Sequence, residues 1–130
     1  MAISFDRTIG GWLKPDDAAR LTACGETMAV VRKKAMLRIL ASHEAERTGL
    51  KVTEADVQAT SDWFRRGFGL LADKELARWL ECQGLTEAAF ARVMHDFTVV
   101  RLLEEAYAEE IDGLVSDQIA ISTARLRTSA

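Results

Sequence analysis

FRRGFGLLADKELARWLECQGLTEAAF, residues Phe64 to Phe90, reads as two helical pieces joined by turn signals, and it carries no catalytic motif. Asp73 has the chemistry of a helix cap, and Leu76, Trp79 and Leu80 behind it share one helical face. Gly84 suits the left-handed residue that follows a helix, which sets Leu85 against Leu80 across the turn. Thr86 is then the next N-cap, and Leu85 also faces Phe90 in a hydrophobic staple. One leucine therefore locks both sides of a corner between a short helix and a long one.

On the C-terminal side, the spacing predicts a long helix from about Glu87 to Asp112. Phe90, Val93, Phe97, Val100, Leu103, Tyr107 and Ile111 recur at intervals of three and four, and Gly113 is expected to close it. A last short helix is expected from Ser116, although Ile119, Ile121, Ser122 and Thr123 would also suit a strand. On the N-terminal side, Thr53, Asp56, Val52 and Val57 have the spacing of a capping box and staple for a helix running to about Arg66, loosened by Gly67 and Gly69. Before it, helix formers fill Glu26 to Thr48, and Gly49 ends that segment. Its apolar arc, with Met28, Val31, Ala35 and Ile39 on one stripe and Val30, Leu37, Leu40 and Ala41 alongside, is wide enough for a central helix, with Arg32, Lys33, Lys34 and Arg38 on the remaining surface. The chain opens with an extended arm over 1–15 and a short helix from Asp16, with Pro15 in its first turn and Gly25 as a break. The expected fold is all-α, a single compact domain of about five to six helices: an arm at 1–15, a helical core at 16–112 and a C-terminal segment at 113–130.

Composition agrees with a globular chain. The 130 residues include one proline, with 48% hydrophobic and 28% charged residues, and a chain of this length buries roughly two thirds of its unfolded-state surface. The net charge of −3 argues against a nucleic-acid binder, which needs a marked basic excess or a basic face. No apolar run approaches the ~20 residues of a membrane span. Cys24 and Cys82 both fall in helical segments, and the N-terminus lacks the basic and apolar regions of a secretion signal. Two free thiols in a reducing cytoplasm are expected.

Candidates for chemistry are few. His43 lies near Glu44 and Glu46, and His95 precedes Asp96, but neither has the spacing of a metal site. Both read first as solvated or structural histidines. Cys82 sits near the end of a helix, where the dipole does not favour a thiolate, so it reads as an inert thiol unless the fold sets a histidine against it. No metal or other cofactor is expected. The basic cluster on the 26–48 segment and the acidic Glu104, Glu105, Glu109 and Glu110 read first as solvated helix faces. Trp63, Phe64, Phe68, Trp79 and Met94 form the candidate peptide-binding set, because broad aromatic faces and adaptable methionine suit apolar segments. Each of them would serve equally as core.

The succession Ala45 to Leu50, Val52 to Val57, Trp79 to Thr86, Phe90, and Leu102 to Glu105 resembles the N-terminal helical chaperone module of SurA-type peptidyl-prolyl isomerases, over roughly half the chain. The FRR, GLL, WL and GLT pieces are also similar to the helical tail of TfuA-like proteins, which accompany enzymes that modify ribosomal peptides. The resemblance implies a helical domain that binds extended peptide through an apolar groove. With no parvulin domain following and no secretion signal preceding, prolyl isomerisation and a periplasmic role are not expected. The expected function is that of a non-catalytic, chaperone-like accessory protein with a peptide or protein client, a partner enzyme included, in a peptide or natural-product modification pathway. The rival expectation is a small cofactor-free enzyme using His43, His95 or Cys82 on an apolar metabolite or peptide. A homodimer exchanging its arm or last helix is the third.

Overall fold

The computed structural model describes residues 17–124 and residue 126, and these form six α-helices and no strand. The helices are α1 (Asp17–Cys24), α2 (Met28–Thr48), α3 (Glu54–Gly67), α4 (Asp73–Gln83), α5 (Glu87–Ala106) and α6 (Ala108–Ser122). The arm expected over 1–15, with Trp12, Pro15 and Asp16, lies outside the described residues. The chain divides into two units at the Leu37–Arg38 step.

In the first unit, Gly25 stops α1 in the left-handed region at φ +75°. Helix α2 starts two residues later than the sequence predicts, because the Thr27 hydroxyl accepts from the Val30 amide at 3.3 Å. Lys34 pairs with Glu26.

The second unit is built on repeated corners. Thr53 caps α3 through the expected capping box: its hydroxyl accepts from the Asp56 amide and its own amide donates to the Asp56 carboxylate, both at 3.1 Å. The bond from the Thr53 amide, helped by the Thr53 hydroxyl, holds the Asp56 carboxyl below its ordinary pKa. At its other end α3 runs through Gly67, and Phe68 takes the C-cap position. Gly69 takes φ +68°, and the Leu70 amide closes back onto the Arg65 carbonyl at 2.7 Å. The same device ends α4, where Gly84 has φ +69° and the Leu85 amide reaches the Leu80 carbonyl at 3.0 Å. A Gly-Leu pair thus closes both helices, glycine taking the backbone region a Cβ penalises and leucine turning inward. Thr86 caps α5 by accepting from the Ala89 amide at 3.0 Å.

Helix α4 begins differently from expectation. Ala72 occupies the N-cap position with no side-chain bond, and Asp73 is the first helical residue. Its carboxylate is drawn away by Arg65, whose guanidinium donates to Asp73 at 3.0 Å, to the Leu70 carbonyl at 2.8 Å and to the Leu71 carbonyl at 2.7 Å. The Arg65 side chain is only 14% exposed. One cation therefore takes up the Leu70 and Leu71 carbonyls of the α3–α4 turn.

These corners bring α3, α4 and α5 around a core of Leu80, Phe90 and Met94, against which Val57, Phe64, Leu76, Trp79, Leu85 and Val93 pack. Buried Thr98 on α5 meets buried Thr60 on α3, their hydroxyls 2.8 Å apart, and the Met94 and Asp56 carbonyls take up the remaining bonds.

Three expectations about the helices are corrected. Helix α2 is not central: Ala41 is its one buried residue among those described, and Met36, Leu37, Ile39 and Leu40 are exposed. Its arc is wider than the single small-residue contact that covers it. Arg38 is not a solvated cation but donates to Asp96 on α5 at 2.8 and 2.9 Å. Finally, the long C-terminal helix bends at Tyr107, not at Gly113, and α6 runs through Gly113 to Ser122. A glycine inside a helix costs only ~0.5–1 kcal/mol and need not end it, whereas Tyr107 (φ −104°, ψ 18°) leaves helical geometry and donates its hydroxyl to Glu44.

Candidate functional site

The α3–α5 pair, held by the capping box at one end of α3 and the Gly-Leu corner at the other, leaves an open groove of about 530 Å³ beside it. Phe90 and Met94 from α5 lie along the groove with Val52 and Val57, the two staple residues at the start of α3. Gln58 and Ser61 on α3 and His95 on α5 supply polar groups. Met94 is 2% exposed and makes a rigid, apolar floor.

The structure separates the expected peptide-binding residues into three situations. Phe64, Phe68 and Trp79 gather into one aromatic stack with Phe90: Phe64 lies 4.8 Å from Phe68, 5.7 Å from Trp79 and 5.7 Å from Phe90, ring centre to ring centre. Tilted and edge-on rings at these distances attract one another beyond their apolar area. Phe64 and Trp79 are half-buried in that stack, whereas Phe68 projects from its edge and is 65% exposed. Met94 belongs to the core and the groove floor. Trp63, 67% exposed, makes no ring contact with the stack.

The candidates for catalysis do not assemble. His43, His95 and Cys82 are all exposed, and among the described residues none makes a hydrogen bond or ion pair with another of them or with a carboxylate. Asp96, the acid beside His95 in sequence, is committed to Arg38. His95 lines the groove; His43 and Cys82 do not. Among the described residues no three His, Cys, Asp or Glu side chains converge as a metal site, and no helix is long and apolar enough to cross a membrane. Cys24 and Cys82 are both free and exposed.

Sequence reasoning gave Val52 and Val57 the spacing of a staple but did not see that both line a groove. The staple spacing is the signal from which it was readable. Gln58 and Ser61 carried no such signal, since their positions on α3 acquire meaning only when α5 lies alongside.

No protein-family model, curated protein or solved structure matches the chain.

Proposed function

We propose that the chain is a non-catalytic, chaperone-like peptide-binding protein serving a peptide or protein client, in keeping with its resemblance to the SurA-type helical module. The observation that carries this reading is the α3–α5 groove with its buried Met94 and Phe90 floor. Its volume lies within the ~300–1,000 Å³ of small-ligand sites. An open groove admits a segment of extended chain better than an enclosed metabolite. The apolar floor supplies affinity, and Gln58, Ser61 and His95 offer hydrogen bonds to a peptide backbone. Phe68, exposed just beyond α3 and joined through Phe64 to the groove's Phe90, extends the apolar contact for a longer client. A role beside a peptide-modifying enzyme follows from the second resemblance, to TfuA-like tails.

The test is a fluorescence titration of the full chain with a panel of extended apolar peptides, read alongside calorimetry. Binding is expected, weakened at least several-fold by Val57→Asp, which places a charge on the groove wall, and less by Phe68→Ala. Absence of binding across the panel, or binding indifferent to Val57→Asp in a variant with native helicity, overturns it.

A further inference from the structure

Every residue of α6 is exposed, and the helix contributes nothing to the core of the second unit. Yet its sequence is that of a helix with something to cover. Ile111, Leu114, Val115 and Ile119, at the i, i+3, i+4 and i+8 spacing of one helical stripe, are 43%, 63%, 43% and 57% exposed. Ile121 extends the edge of the stripe. Apolar surface continuous over two turns marks an interaction surface.

Charge decides what can cover it. Glu110 and Asp117, two turns apart, border the stripe on one side, and Asp112, with Glu109 behind it, borders it on the other. The helix has no lysine or arginine, and among the described residues none of these four carboxylates is paired. Two copies of α6 laid together would set like charges side by side. Nor does the rest of the second unit offer a ready complement, since Arg38, Arg47, Arg65 and Arg101 are engaged with Asp96, Glu44, Asp73 and Glu105. Nucleic-acid phosphates and anionic lipid repel such a helix, and helices that lie on membranes carry lysine and arginine on their polar face. What remains is a protein surface. Apolar anchors at this spacing are what one helix lays against an apolar groove or a second helix, and the charges beside them choose the partner.

We propose that α6 is a recognition helix for a different protein, one that presents an apolar surface to Ile111, Leu114, Val115 and Ile119 and carries lysine or arginine along both edges of it. The anchors span about 12 Å of helix, and cations about 10 Å apart on one edge meet Glu110 and Asp117 while one on the other meets Asp112. The proposal is independent of the α3–α5 groove.

The test uses the full chain and two synthetic helical peptides that share a leucine stripe, one edged with lysine and the other with glutamate, with binding read by fluorescence anisotropy. The lysine-edged peptide is expected to bind roughly tenfold tighter or more, a preference that narrows with salt. Leu114→Ser with Ile119→Ser, which leaves the charge untouched, is expected to weaken that binding by a similar factor. Glu110→Lys with Asp117→Lys is expected to erase or invert the preference. Circular dichroism checks that both variants keep native helicity. Equal binding of the two peptides, or binding indifferent to either pair of substitutions, overturns the proposal. So does self-association of the wild type in sedimentation that Leu114→Ser with Ile119→Ser abolishes, which makes the occupant a second copy. Binding to phosphatidylcholine vesicles through the same residues makes it a lipid surface and overturns the proposal equally.

Discussion

Helices α5 and α6 follow one another with a single residue between them, and both are rich in apolar side chains, yet one is the spine of the core and the other has nothing buried. Helix α5 buries Phe90, Met94, Thr98 and Val99; α6 buries none of its residues. Hydrophobicity alone does not decide which helix is covered. The corners do. The two corners inside the α3–α4–α5 region each turn the chain through a left-handed glycine followed by a leucine, and α3 and α5 come to pack against each other. The junction at Tyr107 has no left-handed residue, and α6 leaves α5 at a bend without such a corner.

The sharpest way to break this comparison is to remove equivalent apolar volume from each side of it. Met94→Ala is expected to lower unfolding free energy by ~2–5 kcal/mol, because deleting a side chain from a packed core loses transfer energy and leaves a cavity. Ile119→Ala on α6 is expected to stay within ~0.5 kcal/mol, the range of exposed substitutions. Urea denaturation at low protein concentration, where self-association does not contribute, compares them directly. Equal losses would show that α6 is covered within the single chain and that the contrast drawn here is wrong.

Much of the first region was legible in sequence. Thr53 with Asp56, Gly84 with Leu85, and Thr86 were identified from local chemistry, and each acts within a few residues of itself, which is why sequence suffices. Three features escaped for the opposite reason. Arg38 and Asp96 are 58 residues apart in the chain and Glu44 and Tyr107 are 63 apart, so nothing in either neighbourhood announces the partner. Thr98 sits in a stripe of apolar residues, where its hydroxyl reads as surface until Thr60 is brought against it. The bend at Tyr107 escaped because Gly113 offered a stronger local signal, and a tether from α2 outweighed it. The groove was legible only in its valine staple. Its floor could not be told from core, because Met94 is both.

A second, smaller effect sharpens the account of the corners. Arg65 holds three acceptors of the α3–α4 turn while nearly buried. Arg65→Ala leaves the Leu70 and Leu71 carbonyls without that donor, and is expected to cost ~1–3 kcal/mol. Arg65→Lys is expected to recover only part of the loss, since an ammonium group cannot reproduce the guanidinium fork. Full recovery by lysine, measured by the same denaturation, would mean the residue contributes charge alone and that glycine and leucine suffice to make the turn.

The smallest expected effect probes the other side of the comparison, the bend at which α6 departs. Arg47 donates to the Glu44 carboxylate at 2.7 Å, and the Tyr107 hydroxyl donates to it as well. These bonds, Arg47's foremost, lower the Glu44 pKa from its ordinary 4.5 to about 2. A carboxyl lowered on folding makes the unfolded chain bind the proton first, so its contribution is present above about pH 4.5 and is lost as pH falls towards about 2. Tyr107, raised above its ordinary 10 chiefly by its bond to the Glu44 carboxylate, behaves in reverse: its contribution is complete below pH 10 and is lost as pH rises through the raised value. Tyr107→Phe should therefore flatten both limbs of the stability profile, the acid limb only in part because Arg47 remains. All three groups are open to solvent, so the change is small and shrinks with salt. Denaturation midpoints measured from acid to alkaline pH in both proteins check it. An alkaline limb unchanged by the substitution would mean that the hydroxyl does not hold the bend, and that the departure of α6 is written into the backbone at Tyr107 alone.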